Sequence, residues 1–363
     1  MEIILSKDHL AHFPAGEIYD GKLVRPFECP ERWDYIVDAL NNEGFLNQSN
    51  PNDLDKEKLV AVHEKKYVDF LKTCWDQWIS SGYTGEAIPT IFPVRGLHQD
   101  RVPDDIDGKL GYYALAAETS ITSGTWQAAQ AAAAIAQTGQ QRISNGASEI
   151  FALCRPPGHH ASSNQFGGYC FLNNAAIAAQ GMLTDGATKV AILDIDFHHG
   201  NGTQSIFYDR DDVLFVSLHG DPKDAFPHFL GYVDETGEGK GEGTNFNLPM
   251  SRGTEFPAWV DSLEIGLKTI RNYRPDALVV SLGVDTFKDD PISFFRLTSN
   301  NYLTIGQLIS GLKLPTLYVM EGGYAVEEIG VNTVNVCCSY KQIKVVTCSL
   351  LYVYCSFDRS GWI

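Results

Sequence analysis

The chain has 363 residues, a mass of 40.1 kDa and a formal net charge of −17, from 28 basic and 45 acidic side chains. Hydrophobic residues make up 44% of it and charged residues 20%, a globular composition that argues against intrinsic disorder. The negative charge disfavours nucleic acid as a partner and suits a cationic one such as a polyamine or a lysine-rich peptide, although a merely solvated acidic surface has the same charge.

The sequence has no targeting or membrane signal that we can recognise. Met1–Lys7 lacks the pattern of a signal peptide, and no segment has about 18 uninterrupted apolar residues. The eight cysteines form no Cys-x-x-Cys pair, which fits a reducing compartment. We therefore expect a cytoplasmic protein without membrane contact.

Predicted elements begin with residues 82–119, which carry prolines, glycines and mixed charges without clean periodicity and predict a long insertion loop. Two alanine-rich segments, Thr125–Gln137 and Asn174–Met182, predict helices. Continuous apolar runs predict strands buried on both faces, at Ile150–Cys154, Val190–Leu193, Val213–Leu218, Leu278–Leu282 and Thr316–Met320. The alternation predicts an α/β fold, a single domain with a central, mostly parallel β-sheet flanked by helices on both faces.

Each predicted strand runs into a polar cluster at its carboxyl end, the edge where open α/β sheets bind ligands. Six of the ten histidines fall between His159 and His228. The clusters are Arg155–His160, Asp194–His199, His219–Asp221, Asp285 and Glu321–Tyr324.

One of these clusters suggests a metal site. Asp194, Asp196 and His198 alternate after a strand and should start on one face, and Asp285 ends another strand. A catalytic zinc needs three protein ligands and an open position, and carboxylates and imidazoles are common ligands. Each residue alone is more often a buried polar group with ordinary partners, but their convergence favours zinc on Asp196, His198 and Asp285.

Two further clusters carry groups suited to acyl chemistry. His159 and His160 follow a Pro-Pro-Gly turn and suit proton transfer at neutral pH, with additional metal ligation or capping as alternatives. Tyr324 follows two glycines and presents a phenol that could bind an oxyanion, although a packed tyrosine is the simpler interpretation of that motif alone.

These motifs, RPPGHH, GGYCFLNNAAIAA, DIDFHHGNG, VSLHGDP, GVDTF and EGGY, resemble the zinc-dependent histone deacetylase superfamily. Within it the chain is most similar to acetylpolyamine amidohydrolases, through KLGYYALAAETSITSGTW, AFPHFLGYVDETGEG, KDDPISFFRLTSNNYLTIG and EGGYAVEEIGVNTVNV. The resemblance implies the arginase/deacetylase fold, with zinc on Asp196, His198 and Asp285. Ferrous iron can also suit a site of this type.

The resemblance also implies roles for single residues. His160 would be the general base toward the attacking water and then the acid toward the leaving amine. His159, oriented by Asp194, would stabilise the transition state, and Tyr324 would bind the substrate carbonyl and the oxyanion. Asn201 stands where some family members have Asp, so the His160 imidazole should be harder to protonate.

Other implied residues concern the substrate. Gly168, Tyr169 and Phe226 match positions that line a narrow tunnel for a linear acetylaminoalkyl chain. Glu118, and more weakly Asp107, match carboxylates that face the distal ammonium of the substrate. The alternative for both is an ordinary carboxylate of a long loop.

Two structural potassium sites are implied as well. The inner site would use Asp194, Asp196, His198, Ser217 and Leu218. The outer one is suggested more weakly, near Phe207, Arg210 and Val213.

The leading hypothesis is a zinc-dependent deacetylase of acetylated polyamines that releases acetate and free amine and forms a homodimer through the 82–119 loop, which would also narrow the tunnel mouth. The alternatives are a lysine deacetylase acting on proteins or peptides, and an inactive metal-binding scaffold. Residues 1–336 would form the catalytic domain. Residues 337–363 depart from the family pattern and are either a genuine extension or a read-through end.

Overall fold

The computed structural model describes residues 1–337. Within them, ten strands form one large sheet and one hairpin. In chain order they are β1 (Glu2–Ile4), β2 (Glu17–Tyr19), β3 (Lys22–Val24), β4 (Gln48–Ser49), β5 (Glu149–Ala152), β6 (Val190–Asp194), β7 (Val213–Gly220), β8 (Asn245–Met250), β9 (Ala277–Leu282) and β10 (Thr316–Met320).

The large sheet has eight strands in the order β4-β1-β5-β10-β9-β6-β7-β8, and every neighbouring pair is parallel. The carboxyl ends of all eight strands therefore lie along a single edge of the sheet. The strands β2 and β3 form a separate antiparallel hairpin.

Ten α-helices surround the sheet in the described residues. They are α1 (Glu31–Asn42), α2 (Lys56–Val60), α3 (Lys65–Ser80), α4 (Ile106–Tyr112), α5 (Thr125–Ser144), α6 (Asn174–Thr184), α7 (Asn201–Phe207), α8 (Phe256–Tyr273), α9 (Ser299–Ser310) and α10 (326–337). No helix among these residues has the length and apolar character needed to cross a bilayer.

The central strands are buried on both faces, as their apolar composition predicts. In β6, Val190 and Ile192 join one hydrophobic core, whereas Ala191 and Leu193 join a second core on the other face. The first core includes side chains of α3, α5 and α6, and the second includes side chains of α1, α8 and α9. The predicted α/β sheet with helices on both faces is confirmed.

The segment 82–119 is less irregular than predicted. It contains α4, which begins after Asp105, whose side chain accepts a hydrogen bond from the Asp107 N–H. Ile106 and Leu110 of this helix are buried, one turn apart on the same face. Two apolar residues four positions apart are too few to predict a helix among the surrounding prolines and glycines.

The N-terminal segment is tied to the sheet by Arg155, which is buried just beyond the end of β5. Its guanidinium donates to the carbonyls of His9 at 2.7 Å and His12 at 2.9 Å. It also pairs with the Glu28 carboxylate at 2.8 and 3.0 Å. A buried charge needs such partners, so Arg155 fixes the path of the chain before α1.

The described residues include five buried cysteines, Cys29, Cys74, Cys154, Cys170 and Cys337, and the first four of them are free thiols. Cys337 belongs to α10, and the prediction about the C-terminal tail otherwise concerns residues 338–363, outside the described residues.

Candidate active site

A cavity of about 600 Å³ opens at the carboxyl edge of the sheet. The loops that follow β5, β6, β9 and β10 bring distant parts of the sequence to its floor. Its lining includes most of the side chains predicted to contact substrate or catalyse the reaction, namely Glu118, His160, Gly168, Tyr169, His198, Phe226 and Tyr324.

Asp196, His198 and Asp285 form a buried cluster whose ligand atoms all lie within 4.8 Å of one another. The Nδ1 atom of His198 is 2.9 Å from Asp285 Oδ2 and 3.3 Å from Asp196 Oδ1. Ligand atoms about 2.0–2.2 Å from a zinc ion stand roughly 3.3 Å apart around a tetrahedron, so this spacing fits one small cation. Burial and the Asp196 carboxylate raise the pKa of Asp285 well above its ordinary value, and a cation between the two would relieve that repulsion.

The backbone fixes both carboxylates. Asp196 Oδ2 accepts the N–H of Gly322 at 2.8 Å, and Asp285 Oδ1 accepts the N–H of Phe197 at 2.7 Å. A Cβ at position 322 would lie 2.6 Å from the first carboxylate and 2.8 Å from the second. Glycine is therefore required where the loop after β10 approaches the metal ligands.

A second group of buried potential ligands, His159, Cys170 and Glu321, lies close by. Glu321 Oε2 already accepts the N–H groups of Gly158 and His159, at 2.6 and 3.1 Å. Burial raises the pKa of the Cys170 thiol well above its ordinary value, which disfavours the thiolate that a metal needs. The Asp196 cluster is the better metal site.

His159 Nδ1 is 2.9 Å from Asp194 Oδ2, and the two side chains are fully buried. Burial alone would lower the pKa of His159, but the carboxylates of Asp194 and Asp196 outweigh it and raise the pKa to about 10. This imidazole therefore favours the charged form, which suits the predicted electrostatic role, although a dication held by Asp196 would oppose that charge.

His160 has a different partner and a different charge. Its Nδ1 lies 2.7 Å from Asn201 Oδ1, while Asn201 Nδ2 donates to the His160 carbonyl at 3.2 Å. This pairing orients the Asn201 amide oxygen toward Nδ1, so Nδ1 carries the proton and Nε2 has the lone pair. Burial, together with the nearby His159 and His198, lowers the pKa of His160 well below its ordinary value. A neutral imidazole with a free Nε2 can accept a proton.

Tyr324 lies on the same side of the cavity as the metal ligands. A Cβ at Gly322 would stand 3.2 Å from the Tyr324 hydroxyl and 2.8 Å from Asp285 Oδ2, so hydroxyl and carboxylate are close. Burial raises the pKa of Tyr324 well above its ordinary value, so the group remains a protonated donor. A donor placed beside the metal ligands can bind a developing oxyanion.

The tunnel wall beside His160 is built from Gly168 and Tyr169, both with left-handed backbone angles of φ 55° and φ 66°. Glu118 Oε1 accepts the Gly168 N–H, and Thr119 Oγ1 accepts the Tyr169 N–H, both at 2.8 Å. The predicted substrate carboxylate Glu118 therefore also shapes the wall. Across the cavity, the Phe226 ring lies 5.1 Å from that of His160 in an edge-on arrangement.

The sequence matches the histone deacetylase domain model over residues 26–339. The chain belongs to the histone deacetylase family. It is accordingly a hydrolase of the deacetylase class, and the family implies a metal cofactor, for which the Asp196 cluster provides a fitting set of ligands.

Relatives within this family carry the name predicted from the sequence. An acetylpolyamine amidohydrolase of Mycoplana ramosa is 54% identical over 93% of this chain and 98% of its own length. Acetylpolyamine amidohydrolase 1 of Pseudomonas aeruginosa is 51% identical over the same shares. The crystal structure of an acetylpolyamine aminohydrolase from Burkholderia pseudomallei aligns with a TM-score of 0.89 at 38% identity, over 94% of this chain and 98% of that one.

Asp107, alone among the residues predicted to contact substrate, does not line the cavity of this histone deacetylase family member in the described residues. It lies in the first turn of α4, apart from the side chains that line the cavity in the described residues. An acidic residue in the first turn favours the helix dipole, which accounts for Asp107 without a substrate.

The residues predicted for the inner cation site lie on neighbouring strands or just beyond them. Asp194 of β6 pairs in register with Ser217 of β7, and Leu218 is the next residue of β7. Asp196 and His198 continue from Asp194, and the Asp196 N–H donates to Asp194 Oδ1 at 3.1 Å.

The residues predicted for the outer cation site form a turn between α7 and β7. The Arg210 N–H donates to the Phe207 carbonyl at 3.1 Å, and the Arg210 guanidinium lies 5.1 Å from the Phe207 ring centroid. Val213 begins β7. Thr244 Oγ1 donates to the Arg210 carbonyl at 2.8 Å, so that oxygen already has a protein partner.

Sequence reasoning missed the β2–β3 hairpin, which supplies Ile18, Tyr19 and Asp20 to the cavity wall. Its buried Glu17 accepts a hydrogen bond from the Tyr169 hydroxyl at 2.9 Å, and burial raises the Glu17 pKa to about 7. The Asp20–Gly21 pair, with both φ angles positive, is a recognisable hairpin signal. Nothing local indicates that the hairpin covers an active site.

Proposed function

We propose that the protein is a zinc-dependent amidohydrolase that removes acetyl groups from acetylated polyamines, releasing acetate and the free amine. The observation that carries this is the meeting of the Asp196 cluster, His160 and Tyr324 at one cavity. The similarity to enzymes named acetylpolyamine amidohydrolases over more than nine-tenths of the chain supports the substrate class.

In the proposed reaction His160 Nε2 takes a proton from the attacking water, whose oxygen bonds to the acetyl carbon. Tyr324 donates a hydrogen bond to the carbonyl oxygen as it becomes an oxyanion. His160 then returns the proton to the amine nitrogen as the C–N bond breaks. A zinc ion held by Asp196, His198 and Asp285 would supply Lewis-acid polarisation of the acetyl carbonyl.

Selection of a cationic substrate would come from the acidic side chains around the cavity. Glu118, Asp20 and Asp224 line it, and the chain as a whole carries 45 acidic against 28 basic residues. A carboxylate facing the distal ammonium of a polyamine favours it over an uncharged chain.

A homodimer built through the 82–119 segment is part of the proposal. Ile91, Val94 and Leu97 of this segment expose more than half of their surface, a pattern suited to a protein interface. Since Asp107 lies outside the cavity of its own chain, it would reach substrate only in the cavity of a second copy. Sedimentation velocity on the protein and on a variant with all three apolar residues replaced by Ser would test the dimer.

The remaining parts of the proposal follow from the family resemblance. Residues 1–336 would be the catalytic domain, the protein would be cytoplasmic, and potassium would occupy the inner and outer cation sites.

Hydrolysis of N-acetylputrescine, N-acetylspermidine and an acetyl-lysine peptide by the zinc-loaded protein tests the function, with Tyr324→Phe as the control. Faster turnover of the acetylpolyamines, strongly reduced but still measurable in the control, is expected. Preference for the peptide would make the protein a lysine deacetylase. Inactivity on all three would identify a metal-binding scaffold.

A further inference from the structure

Asp290 makes a hydrogen bond to the Tyr324 backbone that the proposed chemistry does not use. It lies in the loop between β9 and α9 and is 7% exposed. Its Oδ2 accepts the N–H of Tyr324 at 2.7 Å and that of Ala325 at 3.3 Å. Its Oδ1 accepts the N–H of Ile292 at 3.1 Å, which fixes the orientation of the carboxylate.

Arg32 holds other atoms of the same loop. Its Nε donates to the Gly323 carbonyl at 2.7 Å, and its Nη2 donates to the Glu321 carbonyl at 2.5 Å. The loop that carries Tyr324 therefore has carbonyls bound by a buried cation and amides bound by a buried carboxylate.

This double attachment matters because two successive glycines place few conformational restraints of their own on the backbone before Tyr324. Gly322 and Gly323 precede Tyr324, and Gly323 has a φ of 135°, which few other residues adopt. Glycine is needed for the close approach to the metal ligands, but it does not itself restrain the backbone that carries the Tyr324 phenol. The backbone N–H of Tyr324 is where an external acceptor can fix the residue directly.

We propose that Asp290 is a positioning residue for Tyr324, holding its phenol where the oxyanion forms. The proposal rests on the deacetylase function proposed above. A carboxylate is suited to the task because it offers two oxygens to three N–H donors. Asparagine would direct an N–H against one of those donors, either at Ile292 or at Tyr324.

The test compares kcat and KM for N-acetylputrescine among the zinc-loaded wild type, Asp290→Asn, Tyr324→Phe and the double variant. We expect Asp290→Asn to lower kcat by about 10- to 100-fold, with KM changed less than about threefold, because a displaced donor is lost mainly in the transition state. In the Tyr324→Phe background the same substitution should cost less than about threefold, since the phenol that it positions is already absent.

Asp289→Asn is the matched control, because the neighbouring Asp289 side chain is 64% exposed and pairs with Lys288. It should retain wild-type kcat. Metal content should equal the wild-type value in all variants. If Asp290→Asn does not fold, Asp290→Glu, which keeps the charge but moves it by one methylene, takes its place in the same cycle.

Full activity of Asp290→Asn, or an equal loss with and without the Tyr324 hydroxyl, would overturn the positioning role. So would a loss of activity that follows a loss of metal. An inactive wild type would instead overturn the proposed function.

Discussion

The Asn201 side chain binds His160 twice, accepting from Nδ1 at 2.7 Å and donating to the backbone carbonyl at 3.2 Å. The pair fixes both the orientation and the tautomer of the imidazole without placing a charge beside it. His160 therefore keeps a low pKa, which burial and the nearby His159 and His198 establish.

Asn201→Asp should shift the acidic limb of the kcat/KM profile to higher pH, by about one unit. A carboxylate beside Nδ1 stabilises the imidazolium and raises the pKa of His160, and the base works only when neutral. The profile is measured with an acetylpolyamine from pH 9 down to the lowest pH at which both enzymes remain folded. An unchanged limb would show that His160 does not control it.

Glu118→Gln should raise KM for acetylpolyamines by about 10-fold or more, and much less for an uncharged acetyl-lysine reporter. Glutamine keeps an Oε1 acceptor for the Gly168 N–H but removes the charge that would face the ammonium. Glu118→Ala, which removes both, should impair the two substrates together. Equal KM changes in the glutamine variant would assign Glu118 to the tunnel wall alone.

Gly168→Ala should lower kcat/KM by about 100-fold or more with every substrate. The added Cβ would stand 2.2 Å from His160 Cδ2, and a φ of 55° strains an alanine. Gly85→Ala is the control, because a Cβ there meets nothing within 4 Å. Normal activity of Gly168→Ala would mean that His160 tolerates displacement.

Chelation of the metal should abolish hydrolysis and lower the melting temperature. Without a cation, the carboxylates of Asp196 and Asp285 remain buried side by side, which is costly. Hydrolysis assays and differential scanning calorimetry, each run before dialysis against a chelator, after it, and after addition of zinc or ferrous iron, measure the two effects. A melting temperature unaffected by chelation would indicate that the cluster is not occupied by metal in solution.

The free energy of unfolding should fall as the pH drops from 6.5 to 4, partly because of His63. Burial lowers the pKa of His63 to about 4, and its Nε2 accepts the Asn173 N–H at 2.9 Å, which requires a neutral ring. The unfolded chain binds a proton at His63 below about pH 6.5, whereas the folded chain binds it only near pH 4. The contribution of neutral His63 to the free energy of unfolding is therefore fully present above pH 6.5 and is lost as the pH falls to 4, by roughly 3 kcal/mol.

Urea unfolding at several pH values should therefore show about one proton fewer taken up on unfolding in His63→Gln than in the wild type. His98→Gln provides the comparison, because that side chain is 72% exposed. Equal slopes in the wild type and His63→Gln would contradict the assignment.

The sequence predicted the parts of the fold that have a strong local pattern. The predicted strand Thr316–Met320 has the observed bounds, and Val190–Leu193 is one residue short. The missed β8 (Asn245–Met250) contains two asparagines and a proline, and is an edge strand. The missed β1 and β4 have three and two residues, too few for any periodicity.

The site divides in a similar way. Asp196, His198 and Asp285 stand at the ends of recognisable strands, and the structure brings them together. Glu17 and Asp290 act on Tyr169 and Tyr324 across 152 and 34 positions of the sequence, so no local pattern could indicate them. Asp107 lies outside the cavity because of the way the 82–119 segment folds. The amino-acid composition of that segment does not predict this fold.

The attachment of the N-terminal segment by Arg155 has a practical consequence for anyone shortening this protein. The family match begins at residue 26, which makes an expressed chain starting there look adequate. Such a chain would lack the hairpin wall at Ile18–Asp20 and leave a buried guanidinium without the carbonyls of His9 and His12. The first 25 residues are thus part of the enzyme's working structure.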